Sequence, residues 1–163
     1  MKLHAAAFAI LLASPAWAQD DAPVPPAVGT TRLHPVFIDK QQTAFVDIAS
    51  LTRSGDTVDG WGLNVYAHPT EVTPGNTGDA HWTRFRMSCA ARTAAVTWLL
   101  GRRYLSTTFK ARMGGQSFAI QDRSGWDQTY YYICKSVPLF KGKAIVDESV
   151  AIGKARAEMR SKP

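Results

Sequence analysis

Two stretches of this chain alternate with period two, and no other feature of the sequence limits its fold so tightly. From 57 to 67, Trp61, Leu63, Val65 and Ala67 fall on one side, and Gly60, Gly62, Asn64 and Tyr66 on the other. From 81 to 89, Thr83, Phe85, Met87 and Cys89 oppose Trp82, Arg84, Arg86 and Ser88. Successive side chains of an extended chain point to opposite faces, so both stretches read as half-buried strands. Phe45-Val46-Asp47-Ile48 is a further β-rich run, joined to the first by turn chemistry over Thr52 to Asp56, where Gly55 is free to take a positive φ. Ala94 to Leu100, with Trp98, is apolar on both sides, as a central strand is. Gly101-Arg102-Arg103 is expected to turn the chain into a strand from Tyr104 to Lys110. Met113-Gly114-Gly115-Gln116 is another turn, and Ser117 to Gln121 a last edge strand. Residues 68–80 show no periodicity and read as a long polar loop.

The period changes after the last of these strands. Ser124 is a good N-cap, with Asp127 three residues on placed to return the hydrogen bond. Trp126, Tyr130, Ile133 and Cys134 share one helical face, and Pro138 ends the helix. A second helix, Ile145 to Met159, is weakly amphipathic and basic at its end. Strands followed by helix predict an α+β fold: a single antiparallel sheet of five or six strands, with a C-terminal helix packed on one face. Cys89 on a strand and Cys134 on the helix would staple the two layers as a helix-to-strand disulfide.

The two ends of the chain bound its setting. Lys2 and His4, an apolar run from Ala5 to Ala13, a Ser14-Pro15 break and Ala16-Trp17-Ala18 have the form of a cleavable signal peptide over residues 1–18. Its apolar run is too short to span a bilayer, and no later segment is a candidate. Residues 19–32, rich in Pro, Asp and Ala, are expected to be a disordered leader. An exported chain with two cysteines is expected to carry one disulfide. The expected location is periplasmic or secreted. The formal charge is +6. For an exported chain this excess favours an anionic polymer or surface over nucleic acid.

No catalytic constellation stands out. His34, His68 and His81 lack the spacing of metal ligands, and Asp79 with His81 has no GxSxG serine to complete a triad. No cofactor or metal is expected. The most suggestive surface is the Trp82, Arg84, Arg86 side of its strand, with Arg92, Arg102 and Arg103 in neighbouring turns. An aromatic beside guanidinium groups suits an anionic glycan, an acidic peptide or a self-interface. A solvated sheet face protected by charge is the plainer reading.

These runs together resemble a known family. VDIASLTRSGDTV, WGLNVYA, WTRFRMSCAART, YLSTTF and YYYICK, in that order over residues 33–137, are similar to the surface-adhesin protein E family of bacterial exported proteins. Asp47, Ser50, Leu51, Arg53 and Gly55 match its D-x-x-S-[IL]-x-R-x-G hairpin. Cys89 and Cys134 match its cysteine after a strand and its cysteine closing the C-terminal helix. The resemblance implies one antiparallel sheet with a packed helix, and a non-enzymatic protein that binds host matrix and serum proteins and can form a homodimer. Gln19 stands where the lipidated cysteine of the named adhesins would be, and residues 138–163 lie beyond the pattern as a helical extension. The expected function is therefore a non-catalytic exported binding module for a protein or anionic glycan. A small exported hydrolase with an unrecognised site is the alternative.

Overall fold

The computed structural model describes residues 23–27 and 29–161, so the predicted signal peptide lies outside the described residues. Among the described residues, seven strands precede two helices: β1 Leu33–Ile38, β2 Gln42–Ser54, β3 Thr57–Thr73, β4 Asn76–Ser88, β5 Thr93–Arg103, β6 Ser106–Arg112, β7 Ser117–Ala119, α1 Gly125–Lys135 and α2 Glu148–Ser161. The fold is α+β. All strands belong to one antiparallel sheet, a meander in the order β1-β2-β3-β4-β5-β6, with β7 pairing the other half of β5. The β2–β3 turn forms where glycine permits it, with Gly55 at φ +57°.

Residues 68–80, expected as a loop, are a β-ribbon instead. β3 and β4 stay paired from Thr57↔Ser88 to Thr73↔Asn76, with a register slip between Val65 and Thr70, and Pro74-Gly75 makes the turn. Its tip is largely exposed, so no alternation of polarity is imposed on it. The β5–β6 turn also lies elsewhere than expected. β5 continues through Gly101, and the chain reverses at Tyr104 and Leu105, both with positive φ. Gly101 is needed for closeness rather than for turning: a Cβ there would collide with the Phe109 ring across the strand pair.

Both faces of the sheet are covered. Toward α1 lie Val46, Val58, Phe85 and Met87, with Tyr130 and Ile133 of the helix. Toward α2 lie Leu33, Trp61, Leu63, Trp82 and Leu100, with Ala151, Ile152, Ala155 and Met159. Phe85 and Met87 are odd-numbered on β4 and Trp82 even, so the two clusters occupy opposite faces. The segment expected to be an extension thus supplies four of the twelve buried residues of this second cluster. The Cys89–Cys134 disulfide joins the end of β4 to α1, with Cα atoms 5.5 Å apart.

The helix start falls where Ser124 places it: its Oγ accepts from the Asp127 N–H at 3.1 Å. Asp127 reaches back one residue further than a capping box would, accepting from the Arg123 N–H at 2.8 Å. α2 begins later than expected, at Glu148, with Asp147 Oδ1 accepting from the N–H groups of Ser149 and Val150 at 2.7 and 3.1 Å. Between the helices the chain crosses the β1 edge, where Leu33 and Ile145 exchange N–H···O bonds of 2.8 Å in both directions. The end of the leader is also fastened: Thr31 is buried and its hydroxyl donates to the Val146 carbonyl at 2.9 Å.

Candidate functional site

The surface expected to bind through Trp82, Arg84 and Arg86 is not built as expected. Trp82 is 1% exposed, packed under α2, and its indole N–H donates to Glu148 at 3.0 Å. Alternation does put it on the side of Arg84 and Arg86, but α2 covers the Trp82 end of β4 and leaves the other end open. Arg84 and Arg86 are exposed, and Arg86 pairs with Asp59 at 3.0 Å. The aromatics beside Arg84 are Trp61 and Trp98, its register partners on β3 and β5.

Two of the neighbouring arginines, Arg92 and Arg102, are structural, and Arg103 is exposed. Arg92 bridges Asp122 and Asp127 at 2.6 and 2.7 Å, and these partners raise its pKa. Arg102 grips both oxygens of buried Glu148 at 3.1 Å, tying β5 to α2. Asp79 is buried and holds Arg156 of α2 at 2.8 Å and the Tyr104 N–H at 3.2 Å, rather than His81. Asp47 is fully buried, with one oxygen accepting from the N–H groups of Arg32 and Ala49 at 2.7 and 3.2 Å. Among the described residues no cluster of His, Cys, Asp and Glu is placed to hold a metal ion.

The α1 face carries a cleft of about 310 Å³. Its floor is the sheet, where Ala44, Val46, Phe85, Val96 and Leu99 present hydrocarbon, and its wall is the first turns of α1 with Trp126 and Thr129. α1 crosses the sheet at the Phe85–Met87 end, so the β2–β5 surface beyond it remains open. Into this apolar space converge Asn64 and Tyr66 from β3 with His81 and Thr83 from β4, and Gln42 from β2.

Their hydrogen bonds fix their roles. Asn64 Nδ2 lies 3.2 Å from His81 Nε2 and 3.4 Å from Thr83 Oγ1. With the amide nitrogen donating to both, Nε2 is the unprotonated ring atom, and the proton sits on Nδ1. Nδ1 lies 3.2 Å from the Tyr66 hydroxyl, whose oxygen accepts it. His81 is 8% exposed, and burial pushes its pKa down to about 4, so the ring is neutral near pH 7. Burial raises the Tyr66 pKa and keeps its O–H in place. Both hydroxyls, of Tyr66 and Thr83, thereby keep their own protons to donate to a third party. The cleft is an apolar space with two O–H donors at one end, a site for an acceptor oxygen.

No family model, no curated protein and no solved structure matches this chain. The cleft therefore has to be read from its own chemistry. Sequence reasoning missed it, although a signal was there: Asn64, Tyr66, His81 and Thr83 are polar residues at core-facing positions of strands whose neighbours Phe85 and Met87 are buried. Among the described residues, no helix is long and apolar enough to cross a membrane.

Proposed function

We propose that this protein is a non-catalytic binding module working outside the cytoplasm, and that its cleft holds a small, mostly apolar molecule bearing an acceptor oxygen. The observation that carries this reading is the convergence of Tyr66 and Thr83, with protons to spare, on an apolar cleft. Apolar pockets with a few convergent polar groups and a perturbed titratable residue are where small ligands bind. Export is supported by the signal-like pattern at residues 1–18 and by the disulfide, which persists in oxidising compartments. The test is a ligand-observed NMR screen of apolar carbonyl and hydroxyl fragments against the chain from Gln19 onward. Ala44→Phe, which fills the floor, should abolish binding, and Tyr66→Phe should weaken it about tenfold through loss of one hydrogen bond. Fragments that bind both variants as they bind the parent would refute the assignment.

A second reading keeps the family resemblance and the open end of the sheet. Arg84 is exposed between Trp61 and Trp98, without an ion-pair partner among the described residues. A protein or anionic glycan docking there would lose affinity in salt and in Arg84→Ala with Arg86→Ala, because exposed charges are screened over about 8 Å at physiological ionic strength. Salt-independent binding to heparin by parent and double variant alike removes this surface from consideration.

A further inference from the structure

Where the connection between the helices crosses the β1 edge it closes over a second cavity, of about 220 Å³, separate in its chemistry from the cleft. Three cations line it: Lys141 and Lys143 from the crossing segment and Lys154 from α2. None of the three has an ion-pair partner among the described residues. The one carboxylate on the lining is Glu158, so cations outnumber anions around a confined space. All three are exposed, so solvent screens their mutual repulsion, and an anion at the cavity would be drawn by their summed charge.

A second and independent observation points the same way. Thr43 lines this cavity at 1% exposure, and its Oγ1 has no hydrogen-bond partner. Buried polar groups are almost always paired, so an orphaned hydroxyl on the wall of a cavity marks a place where a partner belongs. The Thr43 hydroxyl can donate to an oxyanion. Apart from His34, the rest of the wall is apolar, including Ile38 and Ile145.

We infer that this cavity is a binding site for a small organic oxyanion, its charged head on the three lysines and Thr43 and its short hydrocarbon body against the apolar wall. The crossing segment is positioned to form it, because Ile145 is bonded to Leu33 immediately after the two lysines. The inference does not depend on the cleft, which shares neither lysines nor orphaned groups with it.

The test is a ¹⁵N NMR titration of the chain from Gln19 onward with hexanoate, acetate and inorganic phosphate as probes. Hexanoate should give saturable shifts at Thr43 and across the 141–145 segment, and bind more tightly than either smaller anion. Lys141→Gln with Lys143→Gln should weaken it about tenfold or more, and Thr43→Val severalfold. Glu158→Gln should do the opposite and tighten binding, a sign that general destabilisation does not produce. All three variants can be checked for folding from the unshifted remainder of the spectrum. Lack of saturation at millimolar hexanoate, or equal affinity in the double lysine variant and the parent, overturns the site. Tighter binding of phosphate or acetate than of hexanoate overturns its organic component.

Discussion

The two faces of this sheet both bury hydrocarbon but treat their polar groups in different ways. Under α2, two buried carboxylates have counter-charges: Glu148 takes Arg102 and the Trp82 indole, and Asp79 takes Arg156. Both of these clusters are closed on themselves. In the cleft beside α1 the buried polar groups are neutral and bond mainly to one another, through Asn64, His81, Tyr66 and Thr83, and α1 stops short of covering them. A polar network that is closed by charge clamps a layer in place, whereas one that is closed by neutral groups can end in donors that face a void. The lesson is that binding capacity follows how polar groups are satisfied more than how many there are.

This contrast can be broken from either side. The largest effect is expected from Glu148→Ala, which leaves Arg102 half-buried without its partner and should cost about 3–5 kcal/mol in chemical denaturation. If the faces are as distinct as described, the cleft shifts seen in fragment binding should survive it under native conditions. Replacing Cys89 and Cys134 together by alanine removes the link on the α1 side. The loop-entropy estimate for that closure is about 4 kcal/mol, read as a lower midpoint in denaturant.

Next comes acid. His81 has a folded pKa of about 4 against an ordinary 6.5, so on acidification the unfolded chain takes up the proton first. Its contribution is whole above pH 6.5 and falls away between 6.5 and 4, by about 3 kcal/mol at the lower end. His81→Gln should flatten that part of the stability–pH curve; a slope unchanged by the substitution would mean the ring is not held neutral. The smallest effect is the cap: Ser124→Ala should lower stability by about 1 kcal/mol, and a melting curve that does not move would argue against Ser124 as the start of α1.

Much of the sheet was legible because alternation is enforced wherever one face is buried. The same reasoning failed at Trp82 for a definite cause. Period two assigns a side chain to a face but does not say what covers that face, and α2 covers it with small and mixed residues. Ala151, Ile152, Ala155 and Met159 make a narrow apolar stripe, too faint to announce a core helix. The 68–80 ribbon was illegible because its exposed tip puts no constraint on side-chain polarity. The β5–β6 reversal was misplaced because Tyr104 and Leu105 adopt positive φ without the glycines that ordinarily mark it. The cleft escaped notice because its residues lie on neighbouring strands, and only the register Asn64↔His81 brings them together.

The crossing at the β1 edge also limits how this molecule can grow. A strand in search of a neighbour finds β1 occupied by Ile145, deprived of a donor at Pro35 and kinked by the register shift beside it. The opposite side of the sheet, β6, runs exposed along most of its length. A strand added to this sheet by backbone pairing would therefore find its room along β6 rather than at the start of β1.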